Sequence, residues 1–113
     1  MKHRDDRLYL IHIDECIHRI EQYTSTGEDA FFSDAKTQDA VLRNLHTLSE
    51  SSQRISDRMK TSQPQVDWRN IAAFRNVLVH DYLGIDLARI WDIVQHDLPV
   101  LKRAVAAMLE TLR

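Results

Sequence analysis

An all-α bundle is the fold this sequence predicts, and three observations predict it. The 113 residues include only 2 Gly and 2 Pro, too little turn chemistry for a many-stranded sheet. Leu, Ile, Ala, Arg, Asp and Glu dominate what remains, and apolar residues recur at steps of three and four, the period of a helix face. With 43% hydrophobic and 28% charged residues, the composition is that of a chain that builds a core and is far from a disordered one. The length fits one domain spanning residues 1–113, and four or five helices packed up and down are the expected architecture.

The first helix is expected over residues 5–23, where Tyr9, Ile13, Cys16, Ile17, Ile20 and Tyr23 form one apolar stripe. TSTGEDAFF, residues 24–32, breaks the pattern; Gly27 marks a turn, and Phe31 and Phe32 pin the resulting loop to the core. A second helix starts at Ser33 or Asp34, both good caps, and runs through Val41, Leu42, Leu45, Leu48, Ile55 and Met59. Its small residues Ser49, Ser51 and Ser52 leave room for another backbone to approach. TSQPQ, with Pro64, stops it. A third helix opens on Asp67 as N-cap, buries Ile71, Phe74 and Leu78, and ends near His80, with Gly84 closing the trailing turn. The last helix begins at Asp86 and carries Leu87, Trp91, Val94, Leu98, Leu101, Val105, Met108 and Leu112 in alternating steps of four and three, a coiled-coil-like seam. Pro99 lies inside that seam and is expected to kink or split the helix.

No stretch approaches the roughly 18 to 20 apolar residues of a membrane span, and acidic residues interrupt the N-terminal segment where a signal core would lie. A cytoplasmic protein is expected. Cys16, the single cysteine, fits a reducing compartment and reads as a small core residue rather than a reactive thiol. The net charge of -2 gives no global field that gathers nucleic acid, so such binding needs a local basic patch. Arg4, Arg7, Arg69 and Arg89 are candidates for it, and equally for solvated surface ion pairs. His12 with Cys16, and Asp14 with His18, have metal-ligand spacing. A tetrahedral site needs three or four convergent ligands, however, and these two pairs lie on different faces of the helix.

Residues 75 to 82, RNVLVHDY, concentrate the polar chemistry. On an ideal helix Arg75 and Tyr82 share a face, as do Asn76 and His80, while Arg75 and His80 lie roughly 140° apart. Two readings are open from spacing alone. In one, His80 and Arg75 satisfy a helix C-terminus and its dipole while Tyr82 covers the core. In the other, guanidinium and imidazole flank one phosphate, either at a helix end or across a second copy of the same surface.

The segment WRNIAAFRNVLVHDYLGIDLARIW, from Trp68 to Trp91, resembles the signature of the HEPN superfamily and specifically its HepT-like toxins, whose hallmark is Arg, four residues, His, one residue, Tyr. HIDECIHRIEQYT, FFSDAKTQDAVLRNL, PQVDWRNIA and WDIVQHDLPVLKRAV resemble the family at corresponding places, so the likeness covers nearly the whole chain. Two departures stand out. LSES at residues 48–51 replaces a common Ile-Gly-Glu-Ala run, keeping only Glu50, and Ala73 stands where glycine is frequent.

The resemblance implies a homodimeric, metal-independent endoribonuclease, the toxin of a toxin-antitoxin pair, with its cleft between two copies of the motif and no cofactor. Arg75 and His80 are then catalytic: the always-charged guanidinium holds the phosphate and the imidazole, a group of ordinary pKa near 6.5, shuttles a proton. Asn76 and Asp81 are supporting residues that orient imidazole or RNA. Tyr82 corresponds to the tyrosine that accepts AMP from a small nucleotidyltransferase antitoxin, and the added phosphate opposes RNA by charge and bulk. The substrate is RNA, transfer or messenger, with no membrane partner. The alternative within the superfamily is a non-catalytic helical module that binds nucleotide or docks a nucleotidyltransferase.

Overall fold

α1 (Lys2–Tyr23) is the spine of the core in the computed structural model, which describes the backbone of residues 2–113 and the side chains of residues 6–113 apart from Tyr82. Leu10, Ile13, Cys16, Ile17 and Ile20 are fully buried along it. Steps of three and four put them on one stripe, and Tyr9 and Tyr23 fall to its edges, half-buried and exposed. Gly27 turns the chain with φ 102, a left-handed conformation that glycine adopts freely.

Where the broken pattern predicts a loop, the chain forms α2 (Glu28–Ser33). Glu28 and Asp29 in its first turn complement the helix dipole, and Phe31 points inward, fully buried with its ring 5.3 Å from that of Trp91. Asp34 caps α3 (Ala35–Gln53): one carboxylate oxygen accepts the Lys36 N–H at 3.1 Å and the other the Thr37 hydroxyl at 2.9 Å.

The apolar pattern of the second predicted helix runs on to Ile55 and Met59, but α3 ends at Gln53 and Met59 sits on a separate helix, α4 (Asp57–Thr61). The cause lies on α1. The Asp6 carboxylate, only 2% exposed, accepts the Ser56 backbone N–H at 2.8 Å and the Ser56 hydroxyl at 2.7 Å. A continuing helix would give that N–H to Ser52; here it is given to α1, and Ser56 becomes the cap of α4. Asp6→Ala leaves the donor stranded in a buried place, and is expected to lower stability by about 1–3 kcal/mol, read as a lower urea midpoint at unchanged slope. An unchanged midpoint would assign the break to local sequence instead.

Asp67 caps α5 (Trp68–His80) by accepting the Asn70 N–H at 3.0 Å, and the Trp68 indole N–H ties the helix to the preceding turn through the Lys60 and Gln63 carbonyls. Leu78 is buried and Ile71 and Phe74 half-buried. One turn of 3-10 helix, Tyr82–Gly84, follows. Asp86 then caps α6 (Leu87–Asp92), which passes through a π-helical turn, Ile93–Asp97, into α7 (Leu98–Thr111).

Pro99 neither splits nor ends this run. The Leu98 N–H reaches back to the Ile93 carbonyl, so the turn just before the proline is one residue wider, which eases its ring past the preceding carbonyls. The seam survives: Val94, Leu98, Leu101, Val105 and Met108 are all buried, joined by Ile90, which strict alternation leaves out.

α1 packs on α3 and α7, and α3 receives α5 on another side. The result is the expected all-α bundle, with no strand among the described residues. Ser49, Ser51 and Ser52 are buried, and across the α1–α3 contact His12 Nδ1 lies 2.6 Å from Ser51 Oγ. Cys16 is a buried core residue, its sulfur 3.3 Å from Thr47 Oγ1. No helix among the described residues is long and apolar enough to cross a membrane.

Candidate active site

Packing of α5 on α3 decides where Arg75 goes. From the half-buried side of α5 its Nη2 and Nε donate to one oxygen of Glu50 on α3, at 2.8 and 3.2 Å, and its Nη1 donates to Asn76 Oδ1 at 3.2 Å. His46, one turn before Glu50, brings Nε2 within 3.4 Å of the same oxygen. That nitrogen is itself buried and among the described residues makes no hydrogen bond, so its link to Glu50 is a charge contact, present when the imidazole is protonated. Two groups from two helices, the Arg75 guanidinium and the His46 imidazole, therefore meet on Glu50 Oε1. A guanidinium has five N–H donors, of which these contacts occupy three, so among the described residues two are left without a partner.

The Arg75 hydrogen bond holds the Glu50 carboxyl below its usual value; partial desolvation opposes this, and the charges of Arg75 and His46 add to it. The pairing therefore contributes fully above the ordinary carboxylate range and is lost only as pH falls through the lowered value. Followed by NMR, the Glu50 carboxyl is expected to titrate below 4.5 and to return towards that value in Arg75→Ala. Titration unchanged by that substitution would mean that the guanidinium does not sit on Glu50 in solution.

His80 is the last residue of α5 and is exposed. Asp81, also exposed, ends the helix: its N–H bonds to the Val77 carbonyl at 2.9 Å, and its carboxylate folds over the following turn. A Cβ on Gly84 would come within 2.7 Å of Asp81 Oδ1, so this glycine admits the carboxylate as well as closing the turn. The backbone of Tyr82 starts the 3-10 turn, and its side chain lies outside the described residues.

Arg75 and Asn76 are thus brought together, and Glu50 and His46 join them. Among the described residues no hydrogen bond or ion pair connects this cluster with His80 or Asp81. The guanidinium is turned towards α3, while His80 belongs to the open side of α5 with Ala73, Asn76 and Val77. Val77 and Val79, each 41% exposed, stand at opposite edges of that side, roughly 160° apart, and Leu83 in the following turn is 99% exposed. Ala73, one of the two departures from the family pattern, falls here, whereas Ser49 and Ser51 of the other are buried in the bundle.

Arg75 and Glu50 also line an open cleft of about 920 Å³, with Tyr9 of α1, Arg54 at the end of α3 and Arg58 of α4. Of the arginines offered by the sequence as a basic patch, none with a described side chain lines this cleft. Arg7, Arg69 and Arg89 are exposed elsewhere, Arg89 over the Phe74 ring at 5.9 Å, and the side chain of Arg4 lies outside the described residues. Sequence reasoning missed Arg54, Arg58 and His46; only for His46 was there a local signal, its four-residue spacing from Glu50. Neither of the two pairs with metal-ligand spacing gains a third ligand: among the described residues no three His, Cys, Asp or Glu are placed to hold a metal.

The model of the family described as Ribonuclease HepT-like matches residues 13–108. "Probable ribonuclease HepT" of Thermococcus cleftensis is 40% identical over 101 residues, 88% of this chain and 91% of that one. A "Putative RNase" of Methanocaldococcus jannaschii is 31% identical over 106 residues, 93% of this chain and 97% of that one. A longer protein of the same organism, named "Gamma-glutamylcyclotransferase and putative RNase", is 34% identical over 110 residues, 96% of this chain; the chain spans 50% of its length. No solved structure matches. The family match runs through nearly all of the helical bundle, and the chain belongs to the Ribonuclease HepT-like family.

Proposed function

We propose that this chain is a cytoplasmic endoribonuclease toxin that works as a homodimer, with Arg75 and His80 as its catalytic residues. One observation carries the reading: Glu50 fixes the Arg75 guanidinium at the edge of an open cleft with two donors unpaired among the described residues, while the same helix presents His80 at its exposed end. The relatives' names give the substrate class. Val77, Val79 and Leu83 suit burial against a second copy, and the antiparallel approach of two α5 helices would carry the Arg75 of each towards the His80 of the other.

The chemistry then needs no metal. One imidazole removes the proton of a ribose 2'-hydroxyl, the oxygen attacks phosphorus, and the bond from phosphorus to the 5'-oxygen breaks. The same imidazole, now protonated, gives that proton to the leaving oxygen, and the product is a 2',3'-cyclic phosphate. The two remaining donors of Arg75 lie against the phosphorane oxygens as they gain charge. Asn76, bonded to Arg75 Nη1, keeps the guanidinium plane in place, and Asp81 stabilises the turn that follows His80.

Control falls to Tyr82 and a nucleotidyltransferase antitoxin. The tyrosyl oxygen attacks the α-phosphorus of ATP, pyrophosphate leaves, and the AMP that remains puts negative charge where the RNA phosphate must bind. With that antitoxin co-expressed, growth arrest caused by the chain is expected to be relieved, and Tyr82→Phe to abolish the relief. Relief that persists in Tyr82→Phe would place the acceptor elsewhere.

Incubation of the purified chain with total RNA in the presence of a chelator tests the central reading. Cut transfer or messenger RNA ending in 2',3'-cyclic phosphate is the expected product. RNA left intact, by a folded dimer, would leave the non-catalytic docking module as the function of the fold.

A further inference from the structure

We infer that the cleft beside Arg75 is the track of a single RNA strand, with Arg54 and Arg58 holding phosphates next to the scissile one and a base stacked on the layer formed by Tyr9 and Arg54. The inference rests on the nuclease reading for its substrate and goes beyond it in assigning residues that neither the motif nor the family match singles out.

Free charge is the first argument. Six charged side chains line the cleft, three arginines and three carboxylates. Asp6 is spent on Ser56 and Glu50 on Arg75, which leaves Asp57 as the one carboxylate of the cleft in no ion pair among the described residues. Among the described residues Arg54 and Arg58 pair with no carboxylate, and both are exposed. Set against Asp57, these two leave the exposed side chains of the cleft a local excess of one positive charge in a chain of net charge -2, and an RNA backbone is drawn by local cations of this kind.

Shape is the second. Arg54 lies over the Tyr9 ring, its guanidinium carbon 5.9 Å from the ring centre, so ring and guanidinium form one layer in the cleft wall. Unpaired bases stack on aromatic rings and on arginine planes, and single-strand sites combine such platforms with a basic groove. A volume of about 920 Å³ is at the upper end of clefts that hold small ligands, room for a nucleotide or two and not for a duplex. The three residues come from α1, the end of α3 and α4, elements that the Asp6–Ser56 contact locks together, so the platform is set before RNA arrives.

Fluorescence anisotropy with a labelled single-stranded oligouridylate, 2'-O-methylated so that it is not cut, tests this on the full chain. Arg54→Gln with Arg58→Gln is expected to weaken binding and to flatten the salt dependence, at about 0.7 per lost phosphate contact, by roughly 1.4 in log-log slope. Arg54→Lys keeps the charge but not the plane, and is expected to retain the slope while binding about tenfold more weakly. Both sites are exposed, so circular dichroism should be unchanged. Wild-type affinity and slope in the double variant, or no binding by the wild type, would overturn the inference. If the wild type cuts total RNA and the double variant cuts it equally well, the track is wrong and the nuclease reading stands; if the wild type binds through these arginines but never cuts, the converse holds.

Discussion

His80→Ala is expected to remove RNA cutting and the growth arrest that follows from it, with no cost to the fold. The imidazole sits at the exposed end of α5, and no hydrogen bond or ion pair to another described side chain depends on it, so truncation strands no buried partner and opens no cavity. Proton transfer by a positioned side chain contributes roughly 10²- to 10⁴-fold, and a variant lacking the only proton shuttle of the motif should fall by about that factor. His80→Asn is the sharper version, since it keeps polarity and helix-end character without a group that titrates near neutrality. The readouts are cleavage of total RNA in chelator, colony formation on induction, and thermal unfolding. A variant that still arrests growth rejects His80 as catalytic; one that loses both activity and thermal stability returns it to the role of a helix-end residue.

What the sequence showed and hid follows from the reach of each interaction. Asp34, Asp67 and Asp86 were legible as caps because each accepts from a backbone N–H two or three residues ahead, a bond written in local sequence. The seam from Val94 to Met108 was legible because periodicity needs no knowledge of the partner helix. The break between α3 and α4 was not, since its cause, Asp6 on Ser56, spans 50 positions. Pro99 was legible as a disturbance of the last helix, but not the form it takes: the widened turn that absorbs the forbidden hydrogen bond depends on the seam staying packed on both sides. At the site, RNVLVHDY held Arg75, Asn76 and His80 in plain view. The convergence of Glu50 and His46 on Arg75 is a contact between helices, and Arg54 and Arg58 look like ordinary solvated residues at helix ends until the fold places them on one cleft.

Mixing two inactive variants is expected to restore activity, and this result bears most directly on how one chain makes a site. On α5 the directions of Arg75 and His80 differ by roughly 140°, and the guanidinium is tied to α3 by two donors to Glu50 while the imidazole stands on the open side. Swinging Arg75 round to its own His80 would break both bonds and strand the Glu50 carboxylate. A second copy would remove the conflict: a two-fold axis beside α5 would bring the His80 of one chain to the Arg75 of the other with the Glu50 bonds kept. In a mixed dimer of Arg75→Ala and His80→Ala chains, one of the two composite sites then holds both substitutions and the other holds neither. With random re-association half of the dimers are mixed, so the mixture should recover about a quarter of wild-type cutting, although each variant alone has none. If the pair acted within a single chain, every site in the mixed dimer would lack one residue and nothing would be regained. Silence from a mixture shown to exchange subunits, for example by fluorescence transfer between labelled chains, would therefore refute the shared site, while leaving open the catalytic identity of each residue that the single variants report.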